Sequence, residues 1–158
     1  MRSFFLITSL LCIILVARAE AKEIYPYACK PFVIHDETVT LPAKKPRLIM
    51  LHNLSNADLW ITHPMSEQDT FQSFSTRLQS NHWSALALDD NMFELNCIES
   101  KPGHEQQVPC AQTLAMCEWP LTNPDNTQVP VWAAEDMPLT TLTAYMSRHG
   151  FELPQKAQ

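Results

Sequence analysis

The chain has 158 residues, 46% of them hydrophobic, which is the size and composition of one globular domain. Its formal net charge of −6 disfavours nucleic acid, which selects basic patches, and also disfavours electrostatic docking on anionic membranes. Only two glycines occur, so turns must rely on proline, asparagine and aspartate.

The N-terminal residues have the order of a secretory signal. Arg2 precedes an apolar run over 4–16, and Ala17-Arg18-Ala19 places small residues at the −3 and −1 positions of a cleavage site. We predict a signal peptide over 1–19, with a cut after Ala21 as the alternative. The run is shorter than the roughly 20 residues that a transmembrane helix needs, and no second apolar run follows. The mature protein is therefore expected to be periplasmic or secreted, with no membrane span.

The cysteines that remain after cleavage predict two disulfides, since an even count in an exported chain is typical of cross-linking. These four cysteines are Cys29, Cys97, Cys110 and Cys117. A metal site is disfavoured because the sequence has no Cys-x-x-Cys pair and no closely spaced histidine pair. We therefore predict no metal, no cofactor and no catalytic thiol.

The spacing of the cysteines favours Cys97–Cys110 with Cys29–Cys117. A hairpin centred on Pro102-Gly103-His104 would place positions 97 and 110 opposite each other, within disulfide reach. The rival pairing joins Cys97 to Cys117 and leaves Cys110 to hold the N-terminal segment. Pro109 supports this rival, because proline is awkward inside a paired strand.

Hydrophobic patterning predicts a mainly β protein with two regions after the signal. Residues 20–46, rich in proline, are expected to form an extended N-terminal arm with one short strand near Glu37–Leu41. Residues 47–154 are expected to form a two-sheet antiparallel sandwich, of immunoglobulin-like or cupredoxin-like type, with a C-terminal helix over 137–149. We expect this helix to begin with Asp136 as its cap, to end at Gly150 and to pack across one end or one sheet edge.

Several strands are predicted within the sandwich. Their ranges are Arg47–Leu54, Leu59–His63, the end of the ambiguous segment Ser66–Ser80, Trp83–Leu88, Phe93–Glu99, Thr113–Trp119 and a short stretch near Val129–Ala133. The first two, joined by a turn over 55–58, make the best hairpin. Arg47–Leu54 is apolar at nearly every position, which is typical of a strand buried on both faces. In Trp83–Leu88, alternation places Leu86 and Leu88 opposite Trp83 and the alanines.

The sequence gives only weak indications of a metal-binding or catalytic site. His52 is the natural first ligand of a copper site, but no cysteine is followed by the histidine and methionine that such a site needs, so a core histidine is the better interpretation. Asp89-Asp90 fits a solvated turn better than a carboxylate pair. Of the four tryptophans, Trp83 and Trp119 are expected in the core. Trp132 and Trp60 are the partner-binding candidates, and Trp132, which lies in a looser stretch, is the better surface candidate.

Several stretches resemble the enhanced-entry protein B family. These are residues 51–64, 83–88, 97–103, 108–110 and 132–138 with the helix that follows, so the resemblance covers roughly 25–154. It implies an exported periplasmic protein of gamma-proteobacteria that live inside host cells, associated with host-cell entry and hence with virulence. It also implies a large Sel1-repeat periplasmic protein as a candidate partner, and it supplies no catalytic residues.

From these observations we expect a non-enzymatic interaction protein. The alternatives are a small-ligand- or metal-binding β-sandwich, and an envelope enzyme of unknown reaction. A cavity lined by convergent titratable groups would favour one of the alternatives.

Overall fold

The computed structural model describes residues 25–64, 75–89, 92–121 and 131–155. Within these ranges it has ten strands and two helices. The strands are β1 (Lys30–Phe32), β2 (Val39–Leu41), β3 (Arg47–Asn53), β4 (Asp58–Thr62), β5 (Ser75–Leu78), β6 (Trp83–Leu88), β7 (Phe93–Lys101), β8 (His104–Val108), β9 (Leu114–Pro120) and β10 (Val131–Met137), and the helices are α1 (Cys110–Thr113) and α2 (Leu139–Arg148). The predicted signal peptide, most of Ser66–Ser80, Asp90 and the start of Val129–Ala133 lie outside the described residues.

The strands form two antiparallel sheets, so the predicted sandwich with a C-terminal helix is confirmed. The first sheet has the order β1-β9-β3-β6-β10. The second has the order β2-β7-β4-β5, and β8 pairs with the part of β7 that β2 leaves free.

The predicted hairpin between β3 and β4 is wrong. β3 pairs with β6 and β9 in the first sheet, whereas β4 pairs with β5 and β7 in the second. The chain crosses between the sheets at 54–57, where the buried Asn53 amide donates to the Ala57 carbonyl (2.8 Å) and the Leu78 carbonyl (2.9 Å). These two bonds satisfy backbone carbonyls at the crossover and hold the connection between the sheets in place.

The N-terminal arm is part of the sandwich rather than a separate extension. It supplies two edge strands, β1 to the first sheet and β2 to the second, where one short strand was predicted. Pro31 lies within β1, and a proline fits there because an edge strand has one side without a pairing strand.

Two hydrophobic clusters explain why β3 is buried along its whole length. Ile49 and Leu51 belong to the cluster between the two sheets, whereas Leu48 and Met50 belong to a second cluster on the outer face of the first sheet. β6 divides in the same way, with Leu86 and Leu88 inward and Trp83, Ala85 and Ala87 outward, as predicted. The second cluster includes Leu142 and Met146 of α2.

Helix α2 therefore packs on the outer face of the first sheet, and the expectation that it crosses an end or an edge is wrong. The molecule has three layers: α2, the first sheet and the second sheet. The helix starts at Leu139, two residues later than predicted, and Pro138 precedes it without a side-chain cap. Gly150 has φ +88°, so it ends the helix in the left-handed conformation as predicted.

The disulfides join Cys29 to Cys117 and Cys97 to Cys110, with Cα–Cα distances of 5.5 and 5.4 Å. This is the favoured pairing, but its predicted geometry is wrong. The β7–β8 hairpin is centred on Pro102-Gly103, so Cys97 lies opposite Val108 rather than opposite Cys110. Pro109 ends the strand, and Cys110 reaches Cys97 from the first residue of α1. Two disulfides are typical of a protein that folds in an oxidising, non-cytoplasmic compartment.

Candidate functional site

The described elements leave the outer face of the second sheet uncovered. The inner faces of both sheets meet in the central cluster, and α2 covers the outer face of the first sheet. Alternation in β4 buries Leu59 and Ile61 and turns Trp60 outward, with 36% of its surface exposed. No described element packs on this outward side.

Strand register brings four side chains into one row across this surface. Trp60 lies directly between Arg77 of β5 and Ile98 of β7, and Ile98 lies opposite Gln107 of β8. Directly opposed residues in an antiparallel pair point to the same face of the sheet. We call the surface formed by Arg77, Trp60, Ile98 and Gln107 the Trp60 face.

Polar side chains border the Trp60 face on both sides. Along one side, Thr62 lies between Ser75 and Asn96, and along the other, Ser100 lies between Asp58 and Glu105. The Arg77 guanidinium donates hydrogen bonds to the Asp58 carboxylate, which fixes its position beside the tryptophan ring and raises the pKa of Arg77. An apolar centre with a polar rim is the arrangement of protein–protein interfaces.

The other tryptophans occupy different environments. Trp83 and Trp119 are each 3% exposed, so both belong to the core as predicted. Trp132 is half-buried and packs against the central cluster from β10, opposite Leu86. Of the two partner-binding candidates, Trp60 is therefore the one that a partner reaches without displacing core contacts.

His52 is a core histidine, which agrees with its interpretation from the sequence. Its ring stacks on Trp83 with centroids 4.2 Å apart, and its Nε2 hydrogen-bonds to Asn81 Oδ1 at 3.1 Å. Burial lowers the pKa of His52, and the hydrogen bond to Asn81 opposes this shift only in part. Across the described ranges, no group of three or more histidine, cysteine, aspartate and glutamate side chains is arranged to hold a metal ion.

Asp136 does not cap α2 as predicted. It lies in a bulge of β10 with φ +49°, and its carboxylate accepts hydrogen bonds from the backbone N–H of Gln79 (2.8 Å), Gln79 Nε2 (2.7 Å) and His82 Nδ1 (2.9 Å). These bonds tie the turn between β5 and β6 to β10. Burial alone would raise the pKa of Asp136, but the bonds from Gln79 and His82 outweigh it and hold the pKa below its usual value.

Substituting Asp136→Asn should reduce stability at pH 7 by about 1 kcal/mol, with allowance for the partial exposure of the side chain. Because the pKa is lowered on folding, the carboxylate stabilises the protein above its unfolded pKa of about 3.9, and this contribution is lost as the pH falls through the folded pKa. Asparagine tolerates the positive φ, so the substitution removes the charge and one of the two accepting oxygens without straining the backbone.

Urea unfolding at pH 7 and pH 3 measures this effect. The difference between wild type and Asp136→Asn should shrink at pH 3, and Asp36→Asn, on the exposed loop after β1, should change little at either pH. A constant difference at both pH values would contradict the role of the carboxylate.

Among the cavities that lie away from the Trp60 face are an apolar groove and a basic cavity. The groove, of about 470 Å³, lies between α2 and the segment around Tyr27. The basic cavity, of about 340 Å³, is lined by basic residues at one end of the sandwich. The sequence interpretation missed the basic cavity. The run Lys44-Lys45-Pro46-Arg47 in an acidic chain is the signal that points to it.

No family model, curated protein or solved structure matches the chain. None of the described helices is long and apolar enough to cross a membrane.

Proposed function

We propose that this chain is an exported, non-enzymatic interaction protein of the periplasm, which binds a protein partner through the Trp60 face and supports host-cell entry. The observation that carries the proposal is the exposed tryptophan, with Ile98 beside it, at the centre of a sheet face whose rim is polar. Tryptophan is enriched among the few residues that dominate binding energy, and such residues lie near the centre of an interface.

The rest of the fold supports this assignment. Arg77 and Ile98 flank Trp60 on neighbouring strands, so the central residues are held by the hydrogen bonds of a sheet rather than by a loop. A surface that is rigid before binding loses less entropy on association. The two disulfides support export, since cross-links of this kind persist outside the cytoplasm.

The resemblance to the enhanced-entry protein B family suggests the partner. Members of that family are encoded beside a large Sel1-repeat periplasmic protein. We take that protein as the partner that docks on the Trp60 face. Trp60 itself lies within the stretch 51–64 that carries the resemblance.

Substituting Trp60→Ala should weaken binding to the Sel1-repeat partner by about 30-fold or more, because truncating a central tryptophan costs about 2 kcal/mol or more. The matched control is Tyr27→Ala, which removes an aromatic ring that is 46% exposed and lies in the groove near α2. This control should change affinity by less than about twofold.

Biolayer interferometry with immobilised partner measures both affinities, and circular dichroism verifies that each variant is folded. Equal affinities for wild type and Trp60→Ala would exclude the Trp60 face as the binding surface. Failure of wild type to bind would exclude the Sel1-repeat protein as the partner.

A further inference from the structure

The basic cavity lies where three strands of the first sheet reach one end of the sandwich. Arg47 begins β3, Pro120 ends β9, and the two are paired in the sheet. Lys30 of β1 lies opposite Glu118 of β9, and the loop between β2 and β3, which carries Lys44 and Lys45, also lines the cavity. The cavity is therefore built by secondary structure on one side and by a short connecting loop on the other.

Positive charge is concentrated at this cavity. Its lining includes Lys30, Lys44, Lys45 and Arg47, which are four of the eleven lysine and arginine residues in a chain of net charge −6. Glu118 is the one acidic residue in the lining, and Asp89 acts on Arg47 from nearby. Four cations against two carboxylates leave a local excess of positive charge.

Arg47 supplies a fixed cation beside the cavity. Its side chain is only 4% exposed, its Nη2 donates to the Pro42 carbonyl (2.6 Å), and its Nε lies 3.4 Å from Glu118 Oε2. Nη1 is buried and has no hydrogen-bond acceptor in the described part of the chain. Burial lowers the pKa of Arg47, with Glu118 and Asp89 opposing this, but a guanidinium keeps its charge in proteins. Since Nη1 is closed off from solvent, Arg47 acts on an anion in the cavity through its charge rather than through this donor.

The lysines add mobile donors around this fixed charge. Lys44 Nζ lies 3.2 Å from Glu118 Oε1, whereas Lys30 and Lys45 make no ion pair with any described residue. The Cys29–Cys117 disulfide holds Lys30 beside Glu118, because each half-cystine immediately precedes one of these two residues. One side of the cavity is thus cross-linked, and the loop on the other side is held by the bonds from Arg47 to Pro42 and from Lys44 to Glu118.

We infer that this cavity binds the phosphate group of a phosphomonoester. A phosphate dianion offers several oxygens to separate cations, and it gains more than a carboxylate from the local excess of positive charge. The cavity volume of about 340 Å³ leaves room for the group that carries the phosphate. Glu118, which already accepts from Lys44, is placed to accept from a hydroxyl on that group. This site is separate from the Trp60 face and does not depend on the proposed function.

Titration calorimetry of the full mature chain tests the inference with three probes. These are inorganic phosphate, glucose 1-phosphate, and vesicles of phosphatidylcholine with or without phosphatidic acid. Saturable binding of any of them supports the site. Preference for a soluble probe identifies a free phosphate compound, and preference for the phosphatidic acid vesicles identifies a lipid headgroup.

Replacing both loop lysines, Lys44→Ala with Lys45→Ala, should lower the affinity for the probe that binds by about tenfold or more, because two charged donors are lost. Both are exposed, so the variant should fold normally. The control removes two exposed cations elsewhere, Lys101→Ala with Arg148→Ala, and should change affinity by less than about twofold, which separates a local site from a net-charge effect. Trp60→Ala should also bind the probe normally. No saturable binding of any probe, or equal weakening by the two double variants, would overturn the inference.

Discussion

Removing the Cys29–Cys117 disulfide should destabilise the protein more than removing Cys97–Cys110. The two bonds span sequence separations of 88 and 13 residues. The chain-entropy relation assigns about 4.6 kcal/mol to the longer loop and about 3 kcal/mol to the shorter one, because the longer cross-link restricts the unfolded chain more. The longer bond also fastens β1, a strand of only three residues, to β9.

Equilibrium urea unfolding of Cys29→Ala/Cys117→Ala and Cys97→Ala/Cys110→Ala measures both effects. Alanine leaves small cavities in both variants, since all four cysteines are buried, so the difference between the variants reports mainly on loop length. Equal losses, or a larger loss for the 97–110 variant, would contradict this explanation.

Substituting Leu142→Ala should cost about 3 kcal/mol, within the range of large-to-small substitutions in protein cores. Leu142 is fully buried between α2 and the outer face of the first sheet, in one cluster with Met50, Trp83 and Trp119. The substitution removes most of a side chain that holds the helix on the sheet, and the cavity that remains adds to the loss of apolar burial.

The adjacent Thr141→Ala is the matched control, because Thr141 is exposed on the same helix turn and alanine favours the helix slightly. Thermal and urea unfolding should show a large loss for Leu142→Ala and little change for Thr141→Ala. A loss below about 1 kcal/mol for Leu142→Ala would mean that α2 is not an integral layer of the fold.

The sequence was informative wherever alternation or an apolar run depended on local geometry. The two faces of β6 follow from side-chain alternation alone, and the continuous burial of β3 follows from its apolar run. Proximity in the sequence also indicated the Cys97–Cys110 bond, although a one-residue difference in the hairpin centre changed its geometry. Trp60, one of the two partner-binding candidates, lies outward on β4, whereas Trp132, the preferred surface candidate, is half-buried against the core.

The pairing of strands that are distant in the chain could not be predicted from the sequence in the same way. β3 and β4 are adjacent in sequence and have suitable turn residues between them, yet they lie in different sheets. Both faces of β3 are apolar and must be buried. In the first sheet, α2 covers one face of β3 and the second sheet covers the other. The basic cavity depends on the pairing of β1 with β9, which brings Lys30 to Glu118 across most of the chain. Neither the separation of β3 and β4 into different sheets nor the pairing of β1 with β9 leaves a periodic pattern in the sequence.

Site-specific photo-cross-linking in the periplasm tests the central claim, that the Trp60 face binds the partner, most directly. A photoreactive amino acid at Gln107, which lies in the same row as Trp60 on β8, reports on the face without altering the tryptophan. The control places the same photoreactive amino acid at Thr141, on the exposed side of α2. We predict a cross-linked adduct with the Sel1-repeat protein from position 107, its loss when Trp60→Ala is added, and none from position 141. An adduct from position 141 alone, or one from 107 that persists in Trp60→Ala, would contradict the claim.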